Sequence, residues 1–211
     1  MSGAPITSYT KTVSSIGTMT FTLGSDNPPA ANQTNDAQGL VMMQIEAETN
    51  GTEDLILDSL VISGSGTMDE STGIATVAIY KDHNSNGLLD LTIDEQLDQY
   101  RSFSSDDGTL AFQAVNDTVP ASSTVHYLII YNLAGTASGD ETFRVKIESN
   151  SNFNVKREIN GESANAIGAP LVGNYQTITT QGQLYLTEVT SNPPPENITN
   201  DAQDVNMLQV N

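Results

Sequence analysis

Cysteine and tryptophan are absent from this chain, histidine occurs twice, and Lys and Arg together number only 7 among 211 residues. Without cysteine there is no disulfide, no zinc ribbon and no thiol nucleophile. The two histidines, His83 and His126, stand far apart in sequence, which argues against most zinc sites and against Ser-His-Asp chemistry. The 7 bases face 26 acids, for a formal net charge of −19. That balance excludes ordinary nucleic-acid binding, where basic side chains replace the counterions around phosphate. It equally disfavours docking on an anionic membrane surface. Charged residues make up only 16%, so the acidity comes from missing bases more than from surplus acids. No apolar run reaches the roughly 18 residues of a membrane span. Met1-Ser2 reads as an expression start, not as a secretory leader. Hydrophobic content is low at 37%, yet a chain this long buries a core without staples. Composition describes a soluble, acidic protein and no enzyme.

What is present is an internal repeat. Gly3-Ala4-Pro5 recurs as Gly168-Ala169-Pro170, an offset of 165. Asn27-Pro28-Pro29 meets Asn192-Pro193-Pro194 at the same offset, and Thr34-Asn35-Asp36-Ala37-Gln38 meets Thr199-Asn200-Asp201-Ala202-Gln203. Met42 then meets Met207, Gln44 meets Gln209 and Ile45 meets Val210. About two-fifths of the positions agree over some forty ungapped residues, more than an Asn/Thr/Pro bias produces.

Between the repeated ends the pattern is strand after strand. Alternating or continuous apolar runs occupy 19–23, 40–47, 55–62, 74–80, 110–115, 125–133, 143–147, 170–178 and 184–189. They are rich in Val, Ile, Thr, Tyr and Phe and are bounded by Gly, Asn, Asp and Ser. No window carries a capped helical stripe. The spacing predicts an all-β fold, an antiparallel β-sandwich of immunoglobulin-like or jelly-roll type, in a tandem-repeat architecture. The repeat sets the phase: residues 1–16 form an N-terminal arm equivalent to the last strand of a preceding repeat. Residues 17–181 form a complete sandwich, and 182–211 are the opening strands of a second copy. Strands so few need a partner, from a neighbouring domain or another chain.

One constellation carries chemistry, Asp82-His83-Asn84-Ser85-Asn86-Gly87-Leu88-Leu89-Asp90. Oxygen side chains stand at loop positions 1, 3, 5 and 9, with glycine at 6 for the sharp turn, a spacing that wraps a short loop around Ca²⁺. Asp82, Asn84, Asn86 and Asp90 supply side chains, and the Leu88 carbonyl supplies a further oxygen. Position 12, where an EF-hand carries a bidentate glutamate, is Ile93; Asp94 or Glu95 is left to close a slightly wider loop. The plainer alternative is a solvated Asn/Asp/Gly turn between two strands.

The run I-Y-K-D-H-N-S-N-G-L-L-D, with S-S-D-D-G-T-L-A-F and V-P-A-S-S-T-V-H-Y-L-I-I-Y-N-L-A-G-T-A after it, resembles a repeat domain of secreted bacterial and archaeal surface proteins. The loop is similar to those of dockerins and thrombospondin-type repeats. The resemblance covers most of 17–181. It implies a calcium-binding extracellular sandwich in tandem copies, with Asp82, Asn84, Asn86, Asp90 and Asp94 as ligands, and no enzymatic activity.

Other polar features read more simply. Asp36 and Asp201 sit in equivalent turns, as strand caps or as carboxylates of a second cation site where domains meet. Asp69-Glu70 and Asp106-Asp107 read as solvated turns, with peripheral cation binding as the alternative. Asn32, Asn50, Asn116 and Asn197 begin N-x-S/T sequons, so glycans are conceivable partners. His126 reads as structural, and Met42, Met43, Met207 and Leu208 as core fillers. Three functions fit: a structural subunit of an extracellular array or filament, stabilised by Ca²⁺ and joined head to tail with copies of itself by strand exchange; an adhesin-type module for carbohydrate or a cell surface; an accessory domain of a secreted hydrolase. An aromatic total of 6% with no Trp weighs against sugar stacking, and the repeated ends favour the first.

Overall fold

The alternating runs become strands in the computed structural model, which describes residues 15–179. In chain order these are β1 (Thr18–Leu23), β2 (Ala31–Thr34), β3 (Leu40–Thr49), β4 (Leu55–Gly66), β5 (Ile74–Asp82), β6 (Glu95–Gln96) and β7 (Thr109–Phe112). There follow β8 (Asp117–Val119), β9 (Thr124–Leu133), β10 (Thr142–Ile147), β11 (Phe153–Arg157), β12 (Asn165–Ile167), β13 (Leu171–Val172) and β14 (Gln176–Thr179). One helical turn, α1 (Glu70–Gly73), and one 3-10 turn, Asn150–Asn152, interrupt them. Among the described residues no helix is long and apolar enough to cross a membrane.

Two sheets face each other, as the alternation requires. The first runs β12-β1-β3-β9-β5-β6. The second runs β11-β4-β10-β14-β2, with β13 on β10 and both β7 and β8 on β4. The long β4 is shared: β11 and β8 flank its first half, β10 and β7 its second. Met19, Phe21, Ile45 and Ala47 from the first sheet meet Leu57, Leu60, Val145 and Ile147 from the second. Phe21 and Phe153 stack across the interface with centroids 3.7 Å apart.

β9 departs furthest from alternation, since Tyr127 to Tyr131 are all buried, and its neighbours β3 and β5 bury Met42 to Ile45 and Val77 to Tyr80 in the same way. Tyr127, Ile129 and Tyr131 enter the main core, while Leu128 and Ile130 join Ala78 and Tyr80 in a second cluster. A strand covered on both faces reads as a continuous apolar run. Leu89, from the segment after β5, packs on that second cluster and so fastens its loop over the sheet.

The fold is the expected all-β sandwich, with differences of detail. It is antiparallel except at two edges, where β1 runs parallel to β12 and β14 parallel to β2. The expected single strand over 170–178 is two, β13 and β14, both against β10. Between them Tyr175 turns outward, and the Arg144 guanidinium lies 4.2 Å over its ring. β2, β6, β8 and β12 went unread because they are short and mostly exposed, held by backbone pairing more than by an apolar face, and β11 because only Phe153 and Val155 of its five residues are apolar. The expected strand at 184–189, the segment 182–211 and all but the last two residues of the 1–16 arm lie outside the described residues.

Candidate metal centre

The DxNxNGxxD segment is the connection of a hairpin. β5 leads in and β6 leads out, with Tyr80 opposite Gln96 and Lys81 opposite Glu95. Both ends are therefore fixed by sheet pairing, and Leu89 anchors the middle. The turn bends at Gly87, whose φ of +71° an L side chain rarely adopts. A Cβ there would also strike the Asp26 backbone oxygen at 2.6 Å, so the loop lies directly against the turn after β1.

The carboxylates point inward along this loop. Asp82 is buried; its Oδ1 accepts from the Asn86 N–H at 3.3 Å and its Oδ2 from the Gly87 N–H at 3.0 Å. Asp94, also buried, ties the two arms together, accepting from His83 N–H at 3.1 Å and Asp90 N–H at 2.7 Å. Asp90 Oδ2 receives the side-chain amides of Asn84 at 2.8 Å and Asn86 at 2.9 Å. Those two donors, Asn84 first, hold the Asp90 carboxyl below the usual carboxylate range. Hydrogen bonds thus link Asp82, Asn84, Asn86, Asp90 and Asp94 along the loop, while the Asp82, Asp90 and Asp94 carboxylate oxygens do not all lie within 4.8 Å of one another. Leu88 follows in line, its N–H on Asn86 Oδ1 at 2.8 Å and its side chain exposed. Glu95, by contrast, faces solvent and reaches the exposed His83 at 3.6 Å. Of the two candidates for closing the loop, Asp94 is the one turned into it.

The donor set suits a hard cation. Calcium takes 6–8 oxygens, and three carboxylates with two carboxamides supply most of these. A half turn about the terminal bond presents the amide oxygens of Asn84 and Asn86 where their nitrogens now meet Asp90. The loop has no thiolate, and its one imidazole, His83, is exposed and paired with Glu95, which disfavours zinc or copper.

Sequence reasoning missed the residue beneath the loop. Gln44, fully buried on β3, donates from Nε2 to Asp82 Oδ2 at 2.9 Å and accepts from Asp26 N–H at 3.0 Å. Its signal was an amide inside the apolar run 40–47, matched in the repeat by Gln209. The repeated Thr34–Gln38 turn is likewise held by amides. Asn35 Nδ2 donates to Gly135 O at 3.1 Å and Gln38 Nε2 to Leu133 O at 3.0 Å. His126 is structural as expected, with Nε2 3.3 Å from Glu46. Met42 and Met43 are core, whereas Met207 and Leu208 lie outside the described residues. Asn32, Asn50 and Asn116 are exposed, and Asn197 and Asp201 lie outside the described residues. Asp69 caps α1, accepting from Ser71 Oγ at 2.6 Å and Ser71 N–H at 2.9 Å. Its neighbour Glu70 is no solvated turn residue; it is fully buried.

A groove of about 890 Å³ separates the loop from the repeated segment, lined by Pro28, Pro29, Gly39 and Leu40 on one side and Gly87 and Leu88 on the other.

No family model matches the chain, and no curated protein matches it. Among solved structures the chain is similar to the sixth cohesin from Acetivibrio cellulolyticus scaffoldin B, solved in complex with a Cel5 dockerin mutant, at 8% identity and a TM-score of 0.27 over 79% of this chain and 100% of that one. It is also similar to BslA, a bacterial hydrophobin, at 13% identity and a TM-score of 0.22 over 82% and 100%. Likenesses of this size say nothing about what the chain binds.

Proposed function

We propose that this chain is a calcium-stabilised structural repeat of an extracellular surface array or filament, joined head to tail with copies of itself. The observation that carries the reading is the 82–94 loop. A hairpin clamps it at both ends, and two of its carboxylates are buried and aimed inward. A solvated turn has no need of buried carboxylates. In a chain of charge −19 a dication also relieves repulsion. Extracellular modules bind Ca²⁺ at about 0.1–1 mM, a range met outside cells.

The joint draws support from β14 and β2. Within the sandwich they lie parallel, Gln176 beside Ala31 through Thr179 beside Thr34. Asn174 and Gln176 donate side-chain amides to the Pro28 and Pro29 carbonyls, at 2.8 and 2.9 Å. The repeat supplies counterparts of both partners, 11–14 for β14 and 196–199 for β2. Residues 11–14 of one copy and 196–199 of another thus carry matched sequences, and such a heterologous contact propagates without closing. Electron microscopy of the purified chain with and without Ca²⁺ tests the reading. Filaments or sheets in Ca²⁺ are the expected result; monomers under both conditions overturn it.

A further inference from the structure

Two acidic pairs far apart in sequence, Asp69-Glu70 and Asp106-Asp107, converge where α1 meets the turn before β7. One carboxylate oxygen from each of Glu70, Asp106 and Asp107 lies within 4.8 Å of the other two. The aspartates are exposed, but Glu70 is fully buried. Its stem crosses bare backbone at Gly64, where a Cβ would stand 2.7 Å from Glu70 Cγ. Glu70 Oε2 accepts from the Asp107 N–H at 2.8 Å, while Oε1, shut off from solvent, has no hydrogen-bond partner among the described residues, and the buried Tyr131 hydroxyl is likewise without one. Among the described residues no Lys, Arg or His forms an ion pair with any of the three.

Three carboxylates this close repel one another, and withdrawing one from water adds to the cost. A buried carboxylate oxygen normally has a partner, and none of the described residues supplies one at Oε1. We propose that Glu70, Asp106 and Asp107 form a second site for a hard divalent cation, with Glu70 as the inner ligand and the two exposed aspartates closing it from the solvent side. Asp107 Oδ1 also accepts from Gly66 N–H at 3.3 Å, so an ion there would tie the end of β4 and α1 to the 104–108 turn. With three protein carboxylates and water completing the shell, the site belongs to the weak, extracellular end of the calcium range. It stands apart from the 82–94 loop and does not rest on it.

The test is a ¹H–¹⁵N NMR titration of the full chain with Ca²⁺, recorded in solution for the monomer and by magic-angle spinning for assembled material, which reads the two sites separately. The Gly66 and Asp107 amides report on the new site, and the Asn86 and Gly87 amides on the loop. In the wild type both pairs should shift and saturate. Glu70→Gln should abolish the shifts at Gly66 and Asp107 and spare those at Asn86 and Gly87. Asp106→Asn, at an exposed position with no packing to disturb, should weaken the same site several-fold. Asp82→Ala should do the reverse, so failure at the loop leaves the new site standing. Gly66 and Asp107 amides unmoved at about 10 mM Ca²⁺, or moving equally in Glu70→Gln, would overturn the proposal. Glu70 would then be a protonated acid in the core.

Discussion

Gln44 Nε2 donates to Asp82 Oδ2 at 2.9 Å, and both side chains are buried, one on β3 and the other at the end of β5. The same amide accepts the Asp26 N–H through its oxygen, so one glutamine joins the first position of the 82–94 loop to the turn that packs on Gly87. An amide suits this place because it both gives and takes.

Replacing it by an apolar side chain of similar size separates its polar role from packing. Gln44→Met leaves Asp82 Oδ2 with the Gly87 N–H alone and orphans Asp26 N–H. Urea unfolding in chelator should show a loss of about 1–3 kcal/mol, together with weaker Ca²⁺ binding. A variant as stable and as calcium-responsive as the wild type would show that the bond is incidental.

Calcium linkage itself is read by melting. At a hundredfold excess over Kd one site contributes roughly 2.7 kcal/mol, equivalent to about 5–10 °C in Tm for a domain of this size. Chelator should remove that increment, and Asp82→Ala should abolish most of the response. Asp94→Asn should act like Asp82→Ala, because Asp94 binds the His83 and Asp90 N–H groups. Glu95→Gln should leave the response intact, since that side chain faces solvent. Equal effects of the two substitutions would mean that burial does not select the closing residue.

How far this was legible depends on what each feature uses for its signal. The hairpin loop was readable because oxygen side chains at fixed spacings and Gly87 are local requirements, and hydrogen bonds do connect Asp82 to Asn86, Asn84 and Asn86 to Asp90, and Asp94 to the Asp90 backbone. The core strands were readable through burial, as in β1 with Met19 and Phe21 inward. β2 was not, because Ala-Asn-Gln-Thr carries no apolar face and owes its place to parallel pairing with β14. Glu70 was misread for a related reason. Its burial comes from Gly64 lying bare beneath its stem, a long-range contact that leaves no mark beside Asp69 in sequence.

Acid stability should depend on Asp98, a buried carboxylate at the foot of the loop. Burial alone would raise it. Arg101, at 3.0 and 3.1 Å, and the N–H groups of Gln99 and Ala114 outweigh that and hold it below the usual range. A lowered folded-state value means that the unfolded chain takes up the proton first. The contribution is therefore complete above the unfolded value of about 3.9 and is lost as pH falls through the folded one. Asp98→Asn should cost about 1–3 kcal/mol near neutral pH and flatten the acid limb of the stability curve. Parallel curves for wild type and variant between about pH 5 and pH 2 would rule this out.

The proposed joint has a residue-level signature. Carrying the β14–β2 register across the repeat places 11–14 beside 196–199, and Gln176 beside Ala31 becomes Lys11 beside Glu196. In the proposed joint a neutral pair of the sandwich would thus be replaced by opposite charges at the equivalent place between copies. Val13 would fall beside Ile198 in the same register, as Ile178 falls beside Gln33. In a chain with 7 bases, a lysine opposite a glutamate favours this pairing over like-charged alternatives. Lys11→Glu should therefore impair assembly, and so should Glu196→Lys, each by setting like charges side by side. The double swap, Lys11→Glu with Glu196→Lys, should restore it, as should mixing the two single variants only where complementary ends meet. Sedimentation in Ca²⁺ reads all four cases. If the double variant assembles no better than either single one, the register is wrong, and if neither single variant loses assembly, these segments are not the joint.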